Sequence, residues 1–94
     1  ILVRVTALDD FINETGMVPD IIKMDIEGSE MAALCGLKDT IINHHPNLQV
    51  CIYHRCEDLW GIPLFLKNLQ PCYKFYIGHH AINHCETVLY AVCN

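Results

Sequence analysis

The sequence predicts an α/β domain in which parallel strands are joined by crossover helices and the sheet is closed by an antiparallel hairpin. Three observations predict it. Strand-like and helix-like stretches alternate from Ile1 to Leu69, and each long helix-like stretch repeats its apolar residues at steps of three and four. The last two strand-like stretches then follow one another with only the loop HHAINHC between them. Alternation implies a parallel sheet with right-handed crossovers, and a short strand-to-strand loop implies antiparallel pairing.

Residues 1–7, ILVRVTA, read as a strand because Val3 and Val5 alternate with Arg4 and Thr6. Leu8 to Ile12 open a short helix, with Asp9 as its N-cap and Gly16 as its stop. IIKMDI forms a second strand, beginning near residue 20 and ending at Asp25 or Ile26. The longest helix is expected over 29–43, with Met31, Leu34, Leu37 and Ile41 on its apolar face and Pro46 beyond its end. LQVCIYH, 48–54, is a third strand, as continuously apolar as strands covered on both faces. Leu59, Ile62, Leu66 and Leu69 mark another helix, with Pro63 expected in its first turn. YKFYIG, 73–78, and ETVLYAV, 86–92, make the hairpin.

With 94 residues, 52% of them hydrophobic and 18% charged, the chain fits one globular domain, residues 1–94, with no linker or repeat. A net charge of −5, with scattered basic residues, argues against nucleic acid as a partner. The apolar runs are too short to span a bilayer, and no basic amphipathic helix suggests a membrane surface. No signal peptide is visible, and a chain that opens inside a strand reads as part of something longer. The six cysteines form no C-x-x-C pair, and Cys35, Cys51 and Cys93 fall in apolar periodic stretches. Buried free thiols, a reducing compartment and a cytoplasmic location are the expectation.

Ligands of an open α/β sheet sit beyond the carboxyl ends of its strands. The second strand ends at Asp25 with Glu27 just after it, the third ends at His54, and the fourth delivers His79 and His80. Such carboxylates and imidazoles are suited to general acid–base work, and also to holding a divalent metal. Gly28 permits close backbone approach, and Ser29 can cap the following helix. Glu30 reads only as an acid offsetting the helix dipole. Cys51 and Cys56, or His80, His84 and Cys85, meet no accepted zinc spacing, so no metal site is assigned.

Leu8-Asp9-Asp10-Phe11, followed by Asp20-Ile21-Ile22-Lys23-Met24-Asp25-Ile26-Glu27-Gly28-Ser29-Glu30 and Leu34-Cys35-Gly36, resembles the FkbM family of S-adenosylmethionine-dependent methyltransferases. The likeness continues through Tyr53-His54, Glu57-Asp58-Leu59-Trp60, His79-His80 and Glu86 to Tyr90. Cys56 and Gly78 depart from it, standing where a proline or polar residue and a basic residue are expected.

The resemblance implies the distal, carboxyl-terminal half of a class I, Rossmann-like methyltransferase sheet. The S-adenosylmethionine cradle is then expected outside this sequence, because Gly16, Gly28, Gly36, Gly61 and Gly78 all stand alone. It further implies methylation of oxygen on a saccharide or similar polar acceptor. Asp25, Glu27 and His54 are the implied catalytic residues, and Asp58, His79 and His80 the implied acceptor contacts. A divalent metal on Asp25 is a variant of that reading. Two others stand beside it: a non-catalytic structural or interaction module, and a small metal-binding domain. An unpaired sheet edge beside the IIKMDI strand is expected to drive self-association.

Overall fold

The computed structural model describes residues 1–82 and 86–93. Its elements run α1 (Leu8–Thr15), β1 (Ile21–Met24), α2 (Glu30–Cys35), α3 (Lys38–His44), β2 (Asn47–Cys51), α4 (Asp58–Leu69), β3 (Tyr73–His79) and β4 (Thr87–Cys93). The strands form one sheet in the order β1-β2-β4-β3. β1 and β2 are parallel, with Ile21 opposite Asn47 and Met24 opposite Val50, while β4 runs antiparallel to both β2 and β3. β3 therefore points the same way as β1 and β2. The mixed α/β sheet with its closing hairpin is as the sequence predicts. No helix among the described residues is long and apolar enough to cross a membrane.

The period of two along each strand sorts the side chains. Ile22, Met24, Leu48, Val50, Leu89 and Ala91 turn to one face and pack with Leu34, Leu37, Ile41, Ile62 and Leu66 of the helices. Each fully buried Leu or Ile in this layer contributes about 1.5–3 kcal/mol. The opposite face carries Lys23, Gln49, Tyr53, Tyr76 and Tyr90, and Tyr76 is exposed. All four helices contribute to the one core, so the molecule is a two-layer slab 19 Å thick. β2 is thus covered by helices on one face only. Its apolar run reflects Leu48, Val50 and Ile52 on the core side, with Cys51 buried on the other.

Several local expectations change. Residues 1–7 form no strand; Ile1, Leu2, Val3 and Val5 are exposed, and no described strand lies beside them to take their backbone hydrogen bonds. The Arg4 to Glu14 ion pair, at 2.6 Å, is exposed and adds little. The helix expected over 29–43 is two helices, because Gly36 and Leu37 break it and Leu37 drops into the core. A Cβ on Gly36 would lie 3.2 Å from that of Ala7, so the glycine admits the chain preceding α1. Asp9 caps the second of these helices rather than its own. Its carboxylate accepts hydrogen bonds from the Asp39 and Thr40 N–H groups (2.9 and 3.0 Å) and from the Thr40 hydroxyl (2.6 Å). Burial alone would raise the Asp9 pKa, but the three hydrogen bonds outweigh it and hold it below the ordinary value.

Gly16 ends α1 in the left-handed conformation, as expected. β2 stops at Cys51, three residues earlier than expected, which leaves His54 on the segment leading to α4. Pro63 lies in the second turn of α4, where it cannot donate to the Leu59 carbonyl; Leu59 is half exposed, so water can serve that oxygen. The cysteines divide differently from expectation. Cys51 is buried and free, Cys35 and Cys56 are exposed, and Cys93, which stands opposite Tyr73 in the hairpin, is bonded to the preceding residue, Cys72. Cys85 and His84 lie outside the described residues.

Candidate active site at the strand ends

After Met24 the chain turns sharply, with Glu27 at φ 57° and Gly28 at φ 98°, before α2 begins. A left-handed residue that is not glycine costs about 1–2 kcal/mol, so something must hold this loop. Glu30 holds it. Its fully buried carboxylate accepts the Ile26 N–H at 2.7 Å and the Gly28 N–H at 3.0 Å. The dipole role expected for Glu30 is therefore too small; it is the internal anchor of the turn. Reciprocal capping, in which a Glu early in a helix reaches back to the preceding N–H groups, is the signal that could have revealed it. Ser29 occupies the N-cap position without a side-chain cap.

Glu30 also fixes the orientation of His54. The Nδ1 of that ring lies 3.2 Å from Glu30 Oε1, with the side chain 9% exposed. The other ring nitrogen, Nε2, faces Asp25 Oδ1 at 3.4 Å and Glu27 Oε1 at 3.6 Å. It has no hydrogen-bond partner among the described residues. Asp25, Glu27 and His54, named from strand order, are thus brought together around one point.

Two neutral donors stand beside Asp25. The Tyr53 hydroxyl lies 3.4 Å from Asp25 Oδ1, and desolvation, followed by the negative charge of Asp25, pushes its pKa up to about 12. Burial, then Asp25, pushes the Cys51 thiol up to about 11. Both shifts favour the protonated side chains near neutral pH.

On the face of the sheet without helices, a cavity of about 200 Å³ opens between Asp25, Tyr53, Lys23, His80, Glu86 and Tyr90. His80 Nε2 and the Tyr90 hydroxyl are 2.8 Å apart. A Cβ on Gly78 would fall 2.9 Å from His80 Nε2 and 3.0 Å from the Tyr90 ring. The glycine that departs from the family pattern is what lets His80 fold over Tyr90. His79 instead bonds Thr87 Oγ1 at 2.7 Å and does not line this cavity. Asp58 is 2% exposed at the start of α4 and stands away from the cavity; its Oδ2 has no partner among the described residues. Desolvation, then Glu30 and Glu57, raise its pKa.

Comparison with known proteins identifies the family of the chain. A family model for the Methyltransferase FkbM domain matches residues 1–85. No curated protein matches the chain. Among solved structures, the chain superimposes on methyltransferase FkbM from Methylobacillus flagellatus KT with a TM-score of 0.82 and 38% identity. That match covers 90% of this chain and 22% of the crystallised one, so the chain spans about a fifth of that relative's length. With the family model covering most of its length, the chain belongs to the FkbM methyltransferase family.

Proposed function

We propose that this chain is the carboxyl-terminal half of an FkbM-type methyltransferase domain, and that its strand-end cavity receives the acceptor for O-methylation. The observation that carries the reading is His54, held from behind by Glu30 and presenting an unpartnered Nε2 beside Asp25 at the edge where such folds bind ligands. A saccharide or similar polar acceptor suits a cavity walled by Lys23, Tyr53, His80, Glu86 and Tyr90, all of them hydrogen-bonding groups. In this reading Asp25 orients the acceptor hydroxyl and takes its proton, with Glu27 and His54 beside it. Tyr53 and His80 hold neighbouring acceptor oxygens, whereas His79, bonded to Thr87, and Asp58, buried at the start of α4, lie outside this cavity.

The family's methyl donor is S-adenosylmethionine, and the residues here do not fit a cradle for it. The cavity beside Asp25 is smaller than the roughly 300–1,000 Å³ of small-molecule and cofactor pockets, the larger grooves lie away from it, and none of the five glycines falls in a glycine-rich loop. Cofactor binding is therefore assigned to the rest of the domain. The unpaired edge of β1 and the apolar groove beside it, lined by Phe11, Met17, Val18 and Ile21, offer that remainder a surface. Alone in solution, the same surface supports self-association.

Calorimetry tests the assignment. This chain should show no heat with S-adenosylmethionine, and tight binding would overturn the placement of the cofactor. In the longer domain, Asp25→Asn should lower kcat by about 10²–10⁴-fold while S-adenosylmethionine affinity is unchanged. Unaltered turnover would favour a non-catalytic role for these residues.

A further inference from the structure

We infer that Asp25, Glu27 and His54 form a seat for one divalent first-row cation of the Mn²⁺ class. One ligand atom from each of the three lies within 4.8 Å of the others. The spacings around His54 Nε2, 3.4 Å to Asp25 Oδ1 and 3.6 Å to Glu27 Oε1, are too long for N–H···O hydrogen bonds of 2.7–3.2 Å. The first falls within the spacing of ligands that share an ion and the second just beyond it: metal bonds of about 2.1 Å at angles of about 90–110° set neighbouring ligand atoms about 3.0–3.5 Å apart.

The surroundings of His54 follow the same logic. A ligating imidazole commonly donates its other ring N–H to a carboxylate, which fixes the tautomer and aims the free lone pair at the ion. Glu30 Oε1, 3.2 Å from Nδ1, is that carboxylate. Glu30 is in turn fixed by the Ile26 and Gly28 N–H groups, so the orientation comes from the buried turn and not from the surface. With Nδ1 protonated toward Glu30, Nε2 is a lone pair facing two carboxylates, an arrangement that a cation relieves. The His54 side chain is 9% exposed whereas those of Asp25 and Glu27 are 48% and 85% exposed, so the seat is closed behind and open toward solvent. One imidazole with two carboxylates favours Mn²⁺, Fe²⁺ or Zn²⁺ over Ca²⁺, which prefers oxygen alone.

Cation binding does not depend on the methyl-transfer reading, but its use does. In that reading the ion would coordinate the acceptor hydroxyl and lower its pKa while Asp25 takes the proton. The probe is Mn²⁺ itself, titrated into this chain and followed by the electron-paramagnetic-resonance signal of the free ion and by calorimetry. One equivalent should bind, and the bound ion should broaden the His54 ring resonances. Asp25→Asn, Glu27→Gln and His54→Gln should each weaken binding about tenfold or more. Asp20→Asn, at the other end of β1, should not. Glu27→Gln changes an exposed side chain, so the test survives if His54→Gln fails to fold. Three results would each overturn the proposal: no binding at millimolar Mn²⁺, Glu27→Gln and Asp25→Asn binding as wild type does, or Ca²⁺ displacing Mn²⁺ at equal concentration. Mn²⁺ binding without methyl transfer in the longer domain would sink the functional reading and leave the cation seat standing.

Discussion

At the amino ends of β1, β2 and β3, the buried Tyr73 hydroxyl donates to Pro46 O at 2.6 Å, Gln70 donates to Ile42 O at 3.1 Å, and Cys72 is bonded to Cys93. At the carboxyl ends of the same strands, His54 Nε2 and Asp58 Oδ2 are buried without partners among the described residues, and two carboxylates face the imidazole across gaps of 3.4 and 3.6 Å. Both edges close the same apolar layer. One completes its bonds inside the chain, and the other holds polar groups in place while leaving them unsatisfied. An unsatisfied buried group costs about 1–3 kcal/mol, so an edge that keeps them gives up stability that the opposite edge retains. The difference is what separates a strand-end site from a strand-end seam.

Glu30 is where the comparison can be broken most severely. Glu30→Ala strips partners from the Ile26 and Gly28 N–H groups and releases His54 at the same time. A loss of about 3 kcal/mol or more is expected, read as a fall in the urea midpoint, together with loss of Mn²⁺ binding. Tyr73→Phe is the matching change at the other edge. It leaves the buried Pro46 carbonyl unpaired and should cost about 1–2 kcal/mol, with Mn²⁺ affinity untouched. If Tyr73→Phe weakened the cation seat as much as Glu30→Ala, the two edges would not be separable.

Between the edges, Asp9 joins α1 to the start of α3, and Asp9→Ala should cost about 1 kcal/mol. Its folded pKa is depressed, so the cap's contribution is fully present above the unfolded value of about 3.9 and is lost as pH falls through the lower folded value. The stability gap between wild type and Asp9→Ala should therefore close below about pH 4, when urea midpoints are compared across pH. A gap that persisted in acid would mean that the carboxylate hydrogen bonds are not what Asp9 supplies.

Sheet, strand direction and strand-end residues were legible because they rest on patterns several residues long. The β-forming apolar runs of IIKMDI and LQVCIYH, and apolar steps of three and four after Gly28, survive local irregularity. What was not legible depended on single long-range contacts. Nothing local in the Met31–Ile41 periodicity reports that Ala7 presses on Gly36, or that Asp9 will cap the helix beyond it. The alternation of Val3 and Val5 is genuine, yet a strand needs a neighbour, and none of the described strands lies beside those residues. Cys72 and Cys93 are separated by 21 positions and meet only because the hairpin register puts Tyr73 opposite Cys93. At the site, Asp25, Glu27 and His54 followed from topology, whereas Glu30 required knowing which way a buried side chain reaches.

The smallest expected effect is at Asp58, where two terms oppose each other. Its carboxylate sits in the first turn of α4, where negative charge gains about 0.3–1 kcal/mol from the helix dipole. Against this, the group is buried, Oδ2 is unpartnered, and Glu30 and Glu57 repel it, so its folded pKa is raised and its ionised form is disfavoured. An acid raised in this way destabilises the fold above its folded pKa and has no such cost below its unfolded value of about 3.9. Asp58→Asn keeps the shape, removes the charge and can still accept a hydrogen bond. It should raise stability at pH 7 by under about 1 kcal/mol, with the gain shrinking as the pH is lowered through the raised folded value. A loss of stability at pH 7 would show that the dipole outweighs burial at this position. It would also move Asp58 out of the unsatisfied edge, leaving His54 as the buried group there that is held ready for a ligand.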